Sequence, residues 1–352
     1  MSQVIRVGVA GYGKAAKFFH IPFVTTMKEF KLTAILQRSI DEAKNAFPHV
    51  NVVSSIDELV QLDDVDLVIV TTPNATHFDF AAKAMRAGKH VVVDKPFTNT
   101  LEEASELMRI ATETGRVLSV FQNRRYASDF ITMRELIDKK LLGDVHEFNA
   151  TYDRYRPEPI PGAWREADIP GSGVLYDLGP HLLDQVLTLF GKPETITADI
   201  RKQRSHATVD DYFNIWLNYG FLKVILHGGM LVREQGPRYM IQGTRGSFLK
   251  YGEDPQEAKL KAGELPIGDD WGREPESSDG ILHTEIDGKV TRTSVPTRNG
   301  NYGIYFRNVY NSIVNKAAVV EKPEHGYNTI RLIQLAFESS KQGKTLACTG
   351  LL

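Results

Sequence analysis

Five short apolar segments, each rich in valine and isoleucine, alternate with helix-like segments through the first third of this chain. They read VIRVGVAG, KLTAILQR, DLVIVTTP, HVVVDKPF and VLSVFQN. Strands that are apolar along nearly their whole length are buried on both faces, which is typical of a parallel sheet. Because strands and helices alternate, we expect a doubly wound α/β domain that ends near Gln122.

Two of the intervening segments carry helix boundary signals. The segment NATHFDFAAKAMRAGK predicts a helix that Gly88 stops. The segment TLEEASELMRIATETG predicts another helix, which begins with a capping box of Thr100 and Glu103 and ends at Gly115. Both helices lie between predicted strands, as the α/β pattern requires.

The pattern changes after residue 122. A predicted helix over residues 130–142 is followed by strand-like runs, which are HEFNATYD, TITADIRKQ, DDYFNIWLNY, LKVILHGG and YMIQGTRGSFLKY, with weaker candidates at ILHTEI and VTRTSV. Strands that follow one another without intervening helices favour an antiparallel sheet, and two amphipathic helices end the chain. We therefore predict a dinucleotide-binding Rossmann domain over residues 1–122 and an α+β domain with a mostly antiparallel sheet over residues 123–352.

Composition narrows the class of protein. A length of 352 residues favours two domains, and a formal net charge of −2 with scattered Lys and Arg gives no basic face for nucleic acid. Cys348 is the only cysteine, which excludes an intrachain disulfide and a thiolate metal cluster. The start MSQVIRVGVAGYG lacks the pattern of a secretory signal, and no apolar run reaches the ~18 residues of a membrane span. We expect a soluble, cytoplasmic protein with no membrane partner.

The first predicted strand runs into a glycine-rich turn, GVAGYGKAA. Gly11 and Gly13 form a G-x-G pair, and Ala16 stands at the third position of the fingerprint, where alanine is accepted. The glycines let the backbone turn tightly and approach a pyrophosphate, which then lies at the amino end of the following helix. An ordinary glycine turn is the alternative, and the strand-to-helix context disfavours it.

The end of the second strand indicates which dinucleotide binds. An NAD-specific domain places an acid there to hold the ribose 2′-hydroxyl, but this chain has Gln37, followed by Arg38 and Ser39. An arginine attracts a 2′-phosphate and a serine can donate to it, whereas Asp41 comes too late to replace the acid. NADP(H) is therefore favoured over NAD(H), and the alternative is that Arg38 is a solvated charge at a strand end.

Polar residues follow the carboxyl ends of the later strands, where open α/β sheets bind their ligands. The third, fourth and fifth strands lead into TTPNATH, DKPF and QNRR. We expect Lys95, whose direction the following Pro96 restricts, to point into the ligand crevice. His77 is either a second crevice residue or, equally, a helix-start residue packed on its neighbour.

The stretch VLYDLGPHLLDQVLTLFG has the apolar spacing of a buried helix, yet it contains an acid and an imidazole. Asp177 and His181 are four residues apart, so a helix places both on one face. Pro180 is tolerated if the helix begins near Gly179, with Asp177 just before it. A lone histidine in such a place is usually a satisfied core residue. Asp184, one turn further on, is either a substrate contact or an acid on the helix surface.

The motifs GVAGYGKAA, TTPNATH, DKPF and YDLGPHLLDQ, in this order and spacing, resemble those of the glucose–fructose oxidoreductase/inositol dehydrogenase (Gfo/Idh/MocA) family. The resemblance covers essentially the whole chain, and FQNRRYASDF, YDRYRPE, AWRE, GPRYMIQGTRGSFLKYG and DDWG are similar to its branch of NADP-dependent scyllo-inositol dehydrogenases. It implies a Rossmann domain and an α+β domain with an open-faced sheet, through which subunits form a homodimer or homotetramer. Where the family has Glu-Lys-Pro, this chain has Asp94-Lys95-Pro96, which keeps an acid and the lysine.

The resemblance also implies roles. Lys95, Asp177 and His181 are the implied catalytic residues, and no metal is needed. His181 is the expected general base, since an unperturbed pKa of ~6.5 suits proton transfer, while Asp177 orients it or binds a hydroxyl and Lys95 stabilises negative charge on the reacting oxygen. The predicted cofactor-binding residues are Gly8, Gly11, Gly13, Lys14, Ala16, Gln37, Arg38, Ser39, Thr71, Thr72, Pro73, Asn74, His77, Lys95, Pro96, Asn123 and Arg124. The predicted substrate-binding residues are Lys95, Arg124, Tyr152, Arg154, Trp164, Arg165, Asp177 and His181.

The expected function is an NADP(H)-dependent oxidoreductase. It transfers a hydride between the nicotinamide and a secondary alcohol or ketone of a cyclic polyol or sugar, with scyllo-inositol or a related inositol favoured. Two alternatives stay open, a cofactor-binding regulatory protein without turnover and an NAD-assisted glycosidase. The complete set of Lys95, Asp177 and His181 disfavours the first, and the NADP-like strand end disfavours the second.

Overall fold

The computed structural model describes residues 3–38 and 42–352. Its chain divides into two compact units. The first comprises Met1–Asn123, Gln256–Trp271 and Asn301–Tyr327, and the second comprises Arg124–Pro255, Gly272–Gly300 and Asn328–Leu352. Two segments from late in the chain therefore complete the first unit, and the division of function at residue 122 stays a prediction.

In the described part of the first unit, six parallel strands form one sheet, in the order β3-β2-β1-β4-β5-β6. They are β1 (Ile5–Ala10), β2 (Phe30–Leu36), β3 (Asn51–Val53), β4 (Leu67–Val70), β5 (His90–Val93) and β6 (Leu118–Val120). Five coincide with the predicted apolar segments. The apolar pattern does not predict β3, because this three-residue edge strand is partly exposed along its length. The strand order reverses between β1 and β4, which is where such sheets bind ligands.

Helices cover this sheet. In the described residues they are α1 (Ile21–Thr26), α2 (Glu42–Ala46), α3 (Ile56–Gln61), α4 (His77–Arg86), α5 (Leu101–Thr114), α8 (Gln256–Lys261) and α9 (Gly303–Val314). The capping box of Thr100 and Glu103 is confirmed, and Gly115 ends α5 in a left-handed conformation as predicted. Valines of β4 and β5 pack against alanines and leucines of α4 and α5 to make the core of the unit.

The described part of the second unit contains a nine-stranded sheet in the order β14-β13-β12-β11-β7-β10-β9-β8-β15. Its strands are β7 (Val145–Asp153), β8 (Thr195–Arg201), β9 (Tyr212–Tyr219), β10 (Leu222–Gly229), β11 (Tyr239–Gly243), β12 (Gly246–Lys250), β13 (Gly280–Ile286), β14 (Lys289–Val295) and β15 (Leu346–Ala347). All pairs are antiparallel except β7 with β10. The predicted fold class is confirmed, although YMIQGTRGSFLKY forms two strands rather than one run.

The helices of the second unit lie on its sheet and beside it. They are α6 (Ser128–Asp138) and α7 (Val174–Phe190), and α10 (Pro323–Gln342) crosses the division between the two units. The α6 helix ends four residues before the predicted limit, at a turn in which Lys140 has a positive φ. The α7 helix packs on β7, β9 and β10. None of the helices in residues 3–38 and 42–352 combines the length and the apolar character of a membrane span.

Candidate active site

The glycine-rich turn lies at the point where the first sheet reverses its strand order. Gly11 has φ of +107°, and a Cβ there would lie 3.1 Å from Thr71 Oγ1. A Cβ added to Gly13 would meet nothing within 4 Å, and the chain turns helical from Lys14. A tight turn with open space above it and a helix start behind it fits the pyrophosphate of a dinucleotide.

The other two positions of the fingerprint are set by packing. A Cβ on Gly8 would approach Leu59 Cδ1 to 3.0 Å and Val65 Cγ1 to 3.1 Å, so glycine lets α3 lie close to β1. Ala16 is fully buried, at the start of a π-helical turn over Ala16–His20. These residues shape the turn from beneath, whereas Gly13 borders the open space.

Thr71, at the end of β4, ties the turn to its neighbouring strand. Its hydroxyl lies 3.1 Å from the carbonyl oxygen of Ala10 and 3.2 Å from that of Gly11, and it donates to this pair. The next residue, Thr72, accepts a hydrogen bond at its Oγ1 from the hydroxyl of Thr76 over 2.6 Å. Pro73, which follows it, is exposed. The predicted cofactor residues after β4 therefore line the same edge as the glycine turn.

The end of β2 carries no acid among the residues that the structure describes. The side-chain oxygen of Gln37 accepts from the backbone N–H of Ala43, 2.8 Å away, at the start of α2. Arg38 is exposed, and Ser39 lies outside the described residues. A neutral amide followed by an exposed guanidinium leaves this end of the sheet suited to a negatively charged ligand.

His77 joins the loops that follow β4 and β5. Its Nδ1 lies 2.9 Å from the carbonyl oxygen of Pro96, and its Nε2 lies 2.9 Å from that of Thr72. Burial lowers the pKa of His77, and Asp94 and the two carbonyl groups offset only part of this effect. His77 is also the first residue of α4, so its two ring contacts give it a structural role at the cofactor edge.

Lys95 is the second residue after β5 and is half-buried. Its backbone N–H donates to Asp94 Oδ1 over 2.8 Å. Burial tends to raise the pKa of Asp94, but His20, whose Nε2 is 3.8 Å from Asp94 Oδ2, and Lys95 outweigh it, so the pKa of Asp94 lies below its usual value. The acid of the Asp-Lys-Pro motif is therefore a carboxylate next to the lysine. Asn74 is also buried at this edge of the sheet.

The α7 helix begins at Val174, so the expectation of a start near Gly179 is wrong. Asp210, which precedes β9, holds this start: its backbone oxygen accepts from the N–H of Val174 over 2.9 Å, and its Oδ2 accepts from that of Leu175 over 2.7 Å. A Cβ on Gly173 would lie 2.0 Å from Asp210 Oδ1. Pro180 is consequently inside the helix, since the contact that fixes the helix start comes from a distant segment.

Asp177 lies in the first turn of α7, not before the helix, and His181 follows one turn later on the same face. Arg165 Nε donates to Asp177 Oδ1 over 3.0 Å, and both side chains are partly exposed, 48% for the arginine and 33% for the aspartate. The Arg165 guanidinium also lies 4.5 Å from the ring centre of Trp164. Three predicted substrate residues thus meet at the first turn of α7, where Asp177 is partly exposed.

His181 is buried. Its ring centre is 6.2 Å from that of Tyr152, a predicted substrate residue on β7. The guanidinium carbon of Arg238 lies 3.6 Å from the centre of the Tyr152 ring, while that of Arg154 is 5.7 Å away. Tyr152 is itself nearly fully buried, and this burial raises its pKa, so it packs beneath His181.

Asp184 is 1% exposed, so the interpretation as a helix-surface acid is wrong. Its two oxygens accept from Arg125 Nε over 2.7 Å and from the terminal Nη2 over 2.6 Å, a bidentate ion pair. Gln185, the next residue, donates to the backbone oxygen of Arg124, also buried, over 3.2 Å. A charge pair in the core was not predicted from the sequence, because 59 residues separate its partners.

The predicted residues are thus distributed over the two units. The glycine turn, Thr71, His77 and Lys95 belong to the first unit, and so does Asn123, which is buried. Asp177 and His181 belong to the second unit, together with every other substrate candidate except Lys95. Their convergence with Lys95 stays a prediction.

A six-stranded parallel sheet with a glycine turn at its switch point defines a dinucleotide-binding α/β protein, and a helix with an acid and an imidazole adds the groups expected of an oxidoreductase. Residues 5–122 match the family model described as the oxidoreductase family, NAD-binding Rossmann fold, and residues 134–348 match its C-terminal alpha/beta domain. The chain belongs to the Gfo/Idh/MocA family of oxidoreductases, and the resemblance seen in its motifs is confirmed.

Similar proteins match this chain over nearly its whole length. The scyllo-inositol 2-dehydrogenase (NADP(+)) IolW of Bacillus subtilis (strain 168) is 42% identical over 345 residues, which are 98% of this chain and 96% of the relative. The oxidoreductase YdgJ of Escherichia coli (strain K12) is 43% identical over 350 residues, 98% of this chain and 99% of that one. The solved structure of the oxidoreductase yvaA of Bacillus subtilis has a TM-score of 0.93 at 40% identity, covering 99% of both chains.

Proposed function

We propose that this protein is an NADP(H)-dependent oxidoreductase that interconverts a secondary alcohol and a ketone on a cyclic polyol or sugar, with scyllo-inositol or a related inositol as the favoured substrate. The observation that carries the proposal is the face of α7 on which Asp177 and His181 lie one turn apart. The similarity to a relative named as an NADP(+)-dependent scyllo-inositol 2-dehydrogenase supports the choice of substrate and cofactor.

Each residue has a chemical task in this reaction. The nicotinamide, when bound, supplies or accepts the hydride. His181 holds the proton that leaves or returns to the substrate oxygen, because an imidazole exchanges protons near neutral pH. Lys95 donates a hydrogen bond to that oxygen and stabilises its negative charge. Asp177, already held by Arg165, binds a neighbouring hydroxyl or orients the imidazole.

The preference for NADP(H) is supported by the residues at the end of β2. Gln37 is neutral and uses its oxygen at the start of α2, and the exposed Arg38 is available for a 2′-phosphate. An acid, which would repel that phosphate, does not follow β2 within the described residues 37–38. We further propose that residues 1–122 form the dinucleotide-binding domain and that residues 123–352 form the substrate-binding and oligomerisation domain.

We also propose that the protein forms a homodimer or homotetramer through the large antiparallel sheet. We propose that it is located in the cytoplasm. Trp216 supports this surface, because it is 49% exposed on β9 while its neighbours Ile215 and Leu217 are buried. Sedimentation analysis of the full chain tests the assembly, and a monomer at micromolar concentration would contradict it.

The test of the reaction is a panel of inositols and sugars with each nicotinamide cofactor, followed at the absorbance of the reduced form. Lys95→Ala should lower turnover by about a thousandfold or more while the cofactor still binds with nearly unchanged affinity. Lys83→Ala is the matched control: Lys83 is a partly exposed residue on α4 that pairs with Asp57, and the variant should turn over normally. Undiminished turnover by the Lys95 variant refutes the assignment. Cofactor binding without net release of reduced cofactor on any substrate favours a regulatory protein or a redox-assisted glycosidase.

The cofactor assignment has its own test. Arg38→Ala should raise the KM for NADP(H) about tenfold or more and leave the KM for NAD(H) nearly unchanged, because a charge-assisted contact to the 2′-phosphate is lost. If the wild-type protein prefers NAD(H), the interpretation of the end of β2 is wrong.

A further inference from the structure

The segment between β7 and α7, residues 154–173, carries the Trp164–Arg165 pair on an irregular and mostly exposed stretch of chain. Within this segment the structure has one helical element, the 3₁₀ turn Trp164–Glu166, and none of its residues is buried. An exposed segment with little packing of its own opens easily unless side chains hold it in place. The question is therefore what holds Arg165 where it contacts Asp177.

A buried arginine, Arg204, anchors this turn. The side chain of Arg204, in the loop between β8 and β9, is 1% exposed. Its Nη2 donates to Glu166 Oε2 over 2.7 Å and its Nη1 lies 3.3 Å from Glu166 Oε1. Its Nε donates to Asp211 Oδ2 over 2.9 Å. One guanidinium thus bridges the 3₁₀ turn and the residue that precedes β9.

Asp211 makes this bridge rigid. Its carboxylate is fully buried and also accepts from the backbone N–H groups of Gln203, over 2.6 Å, and Arg204, over 2.9 Å. Thr208 of the same loop donates from its hydroxyl to the backbone oxygen of Glu166. Both the side chain and the backbone of Glu166 are therefore attached to the loop that leads into β9.

Arg165 connects the anchored residue Glu166 to Asp177 of the candidate active site. Arg165 directly precedes Glu166, its carbonyl oxygen accepts from the N–H of Gly173 over 3.0 Å, and its side chain donates to Asp177. An ion pair as exposed as Arg165–Asp177 contributes little by itself. The pair of Arg204 with Glu166 is better fixed, because the guanidinium is buried and the carboxylate is only 21% exposed, and a bidentate contact is geometrically specific.

We propose that Arg204, together with Glu166, is a positioning pair for substrate selection: it holds the Trp164–Glu166 turn so that Arg165 keeps the carboxylate of Asp177 ready for a hydroxyl of the substrate. This inference rests on the proposed function, because it assumes that Asp177 and Arg165 face the polyol. Arg204 and Glu166 themselves act only through Arg165.

The experiment uses Glu166→Gln, which keeps the size of a partly exposed side chain and removes its charge. The KM for the best polyol of the panel should rise about tenfold, since misplaced positioning groups weaken binding, while the KM for NADP(H) stays within about twofold. Glu135→Gln is the matched control, because it removes the carboxylate partner of Arg298 from an exposed pair in the same unit. An unchanged polyol KM in Glu166→Gln overturns the proposal.

A double-mutant cycle separates positioning from a general loss of stability. In an Arg165→Ala background, Glu166→Gln should have no further effect on the polyol KM, because Arg165 carries its influence. Arg204→Lys should give an intermediate KM, since lysine keeps the charge but not the bidentate geometry. Effects of Arg165→Ala and Glu166→Gln that simply multiply would overturn the proposal.

Hydrogen exchange gives a readout that needs no substrate. Glu166→Gln should increase amide exchange in residues 160–173 relative to wild type and to Glu135→Gln, and unchanged protection there overturns the positioning role. If the proposed function is wrong, the wild-type protein oxidises or reduces no member of the panel. The exchange measurement still decides in that case whether Glu166 holds the Trp164–Glu166 turn in place.

Discussion

The carboxyl edge of the first sheet and the start of α7 position their functional candidates in different ways. At the sheet edge, side chains are held by the main chain: Thr71 donates to carbonyl groups of the glycine turn, and His77 lies between the carbonyl groups of two loops. Around α7, side chains are held by other side chains, as in Arg125–Asp184 and Arg165–Asp177.

The proposed function gives a reason for this difference, because it assigns the dinucleotide to the sheet edge and the substrate to α7. The pyrophosphate is common to all nicotinamide dinucleotides, and main-chain groups bind it with a geometry that the fold maintains. A substrate varies, and a site built from paired side chains can be changed by substitution without a change of fold. The cost is that each buried pair depends on both partners.

The largest expected effect comes from breaking the buried pair of α7. Asp184→Asn leaves Arg125 buried without this carboxylate, and the free energy of unfolding should fall by about 3–5 kcal/mol. Urea denaturation measures it. Asp199→Asn, which removes one partner of the exposed pair with Arg201, should change it little. A loss as small in Asp184→Asn as in the control would mean that side-chain pairs do not hold α7.

Asp210 makes the start of α7 sensitive to pH. Burial raises the pKa of Asp210 from 3.8 to about 6, although the N–H of Leu175 opposes the change. The folded protein therefore binds a proton more tightly than the unfolded chain, so stability falls as pH rises from about 4 to about 6, by about 3 kcal/mol in total.

Asp210→Asn tests this pH dependence. Asparagine keeps an oxygen for the Leu175 N–H but does not titrate, so the fall in stability over this window should shrink by the contribution of Asp210. Thermal unfolding at a series of pH values measures it. A variant whose profile parallels that of the wild type would assign the pH dependence to other groups.

A smaller effect is expected at the sheet edge. His77→Ala removes the ring nitrogens that lie beside the carbonyl groups of Thr72 and Pro96. A neutral imidazole donates to one of the two, and leaving that carbonyl group without its donor costs about 1–3 kcal/mol. The variant should also weaken cofactor binding, because the loop after β4, which His77 contacts at Thr72, borders the glycine turn. His49→Ala, on the exposed surface, is the control. Unchanged cofactor affinity in His77→Ala would show that the main chain alone maintains this edge.

The smallest effect is expected for an ion pair outside both regions. Arg109 on α5 pairs with Glu106 and Glu113 on the exposed face of the helix. Arg109→Ala should leave the free energy of unfolding and the activity unchanged within error, because exposed pairs contribute little. A clear loss of stability would mean that the burial of an ion pair does not predict its contribution to the free energy of unfolding in this protein.

Local patterns predicted much of this protein. The strands β1, β2, β4, β5 and β6 follow from uninterrupted apolar runs, and α5 follows from its capping box and terminal glycine. The short strands β3 and β15 could not be predicted, since they contain too few residues for a periodic signal and are held by their neighbours. The start of α7 was predicted wrongly because Pro180 is a stronger local signal than anything near Val174.

The sequence by itself determined the α/β alternation, the glycine turn and the spacing that brings Asp177 and His181 to one face of a helix, because each depends on residues a few positions apart. Only the tertiary structure decided that Asp210 starts α7, that Arg125 neutralises Asp184 and that Arg204 attaches the 3₁₀ turn to Asp211. The physical reason is that a buried charge needs a partner but does not specify which one. The fold makes that choice by bringing distant segments within hydrogen-bonding distance.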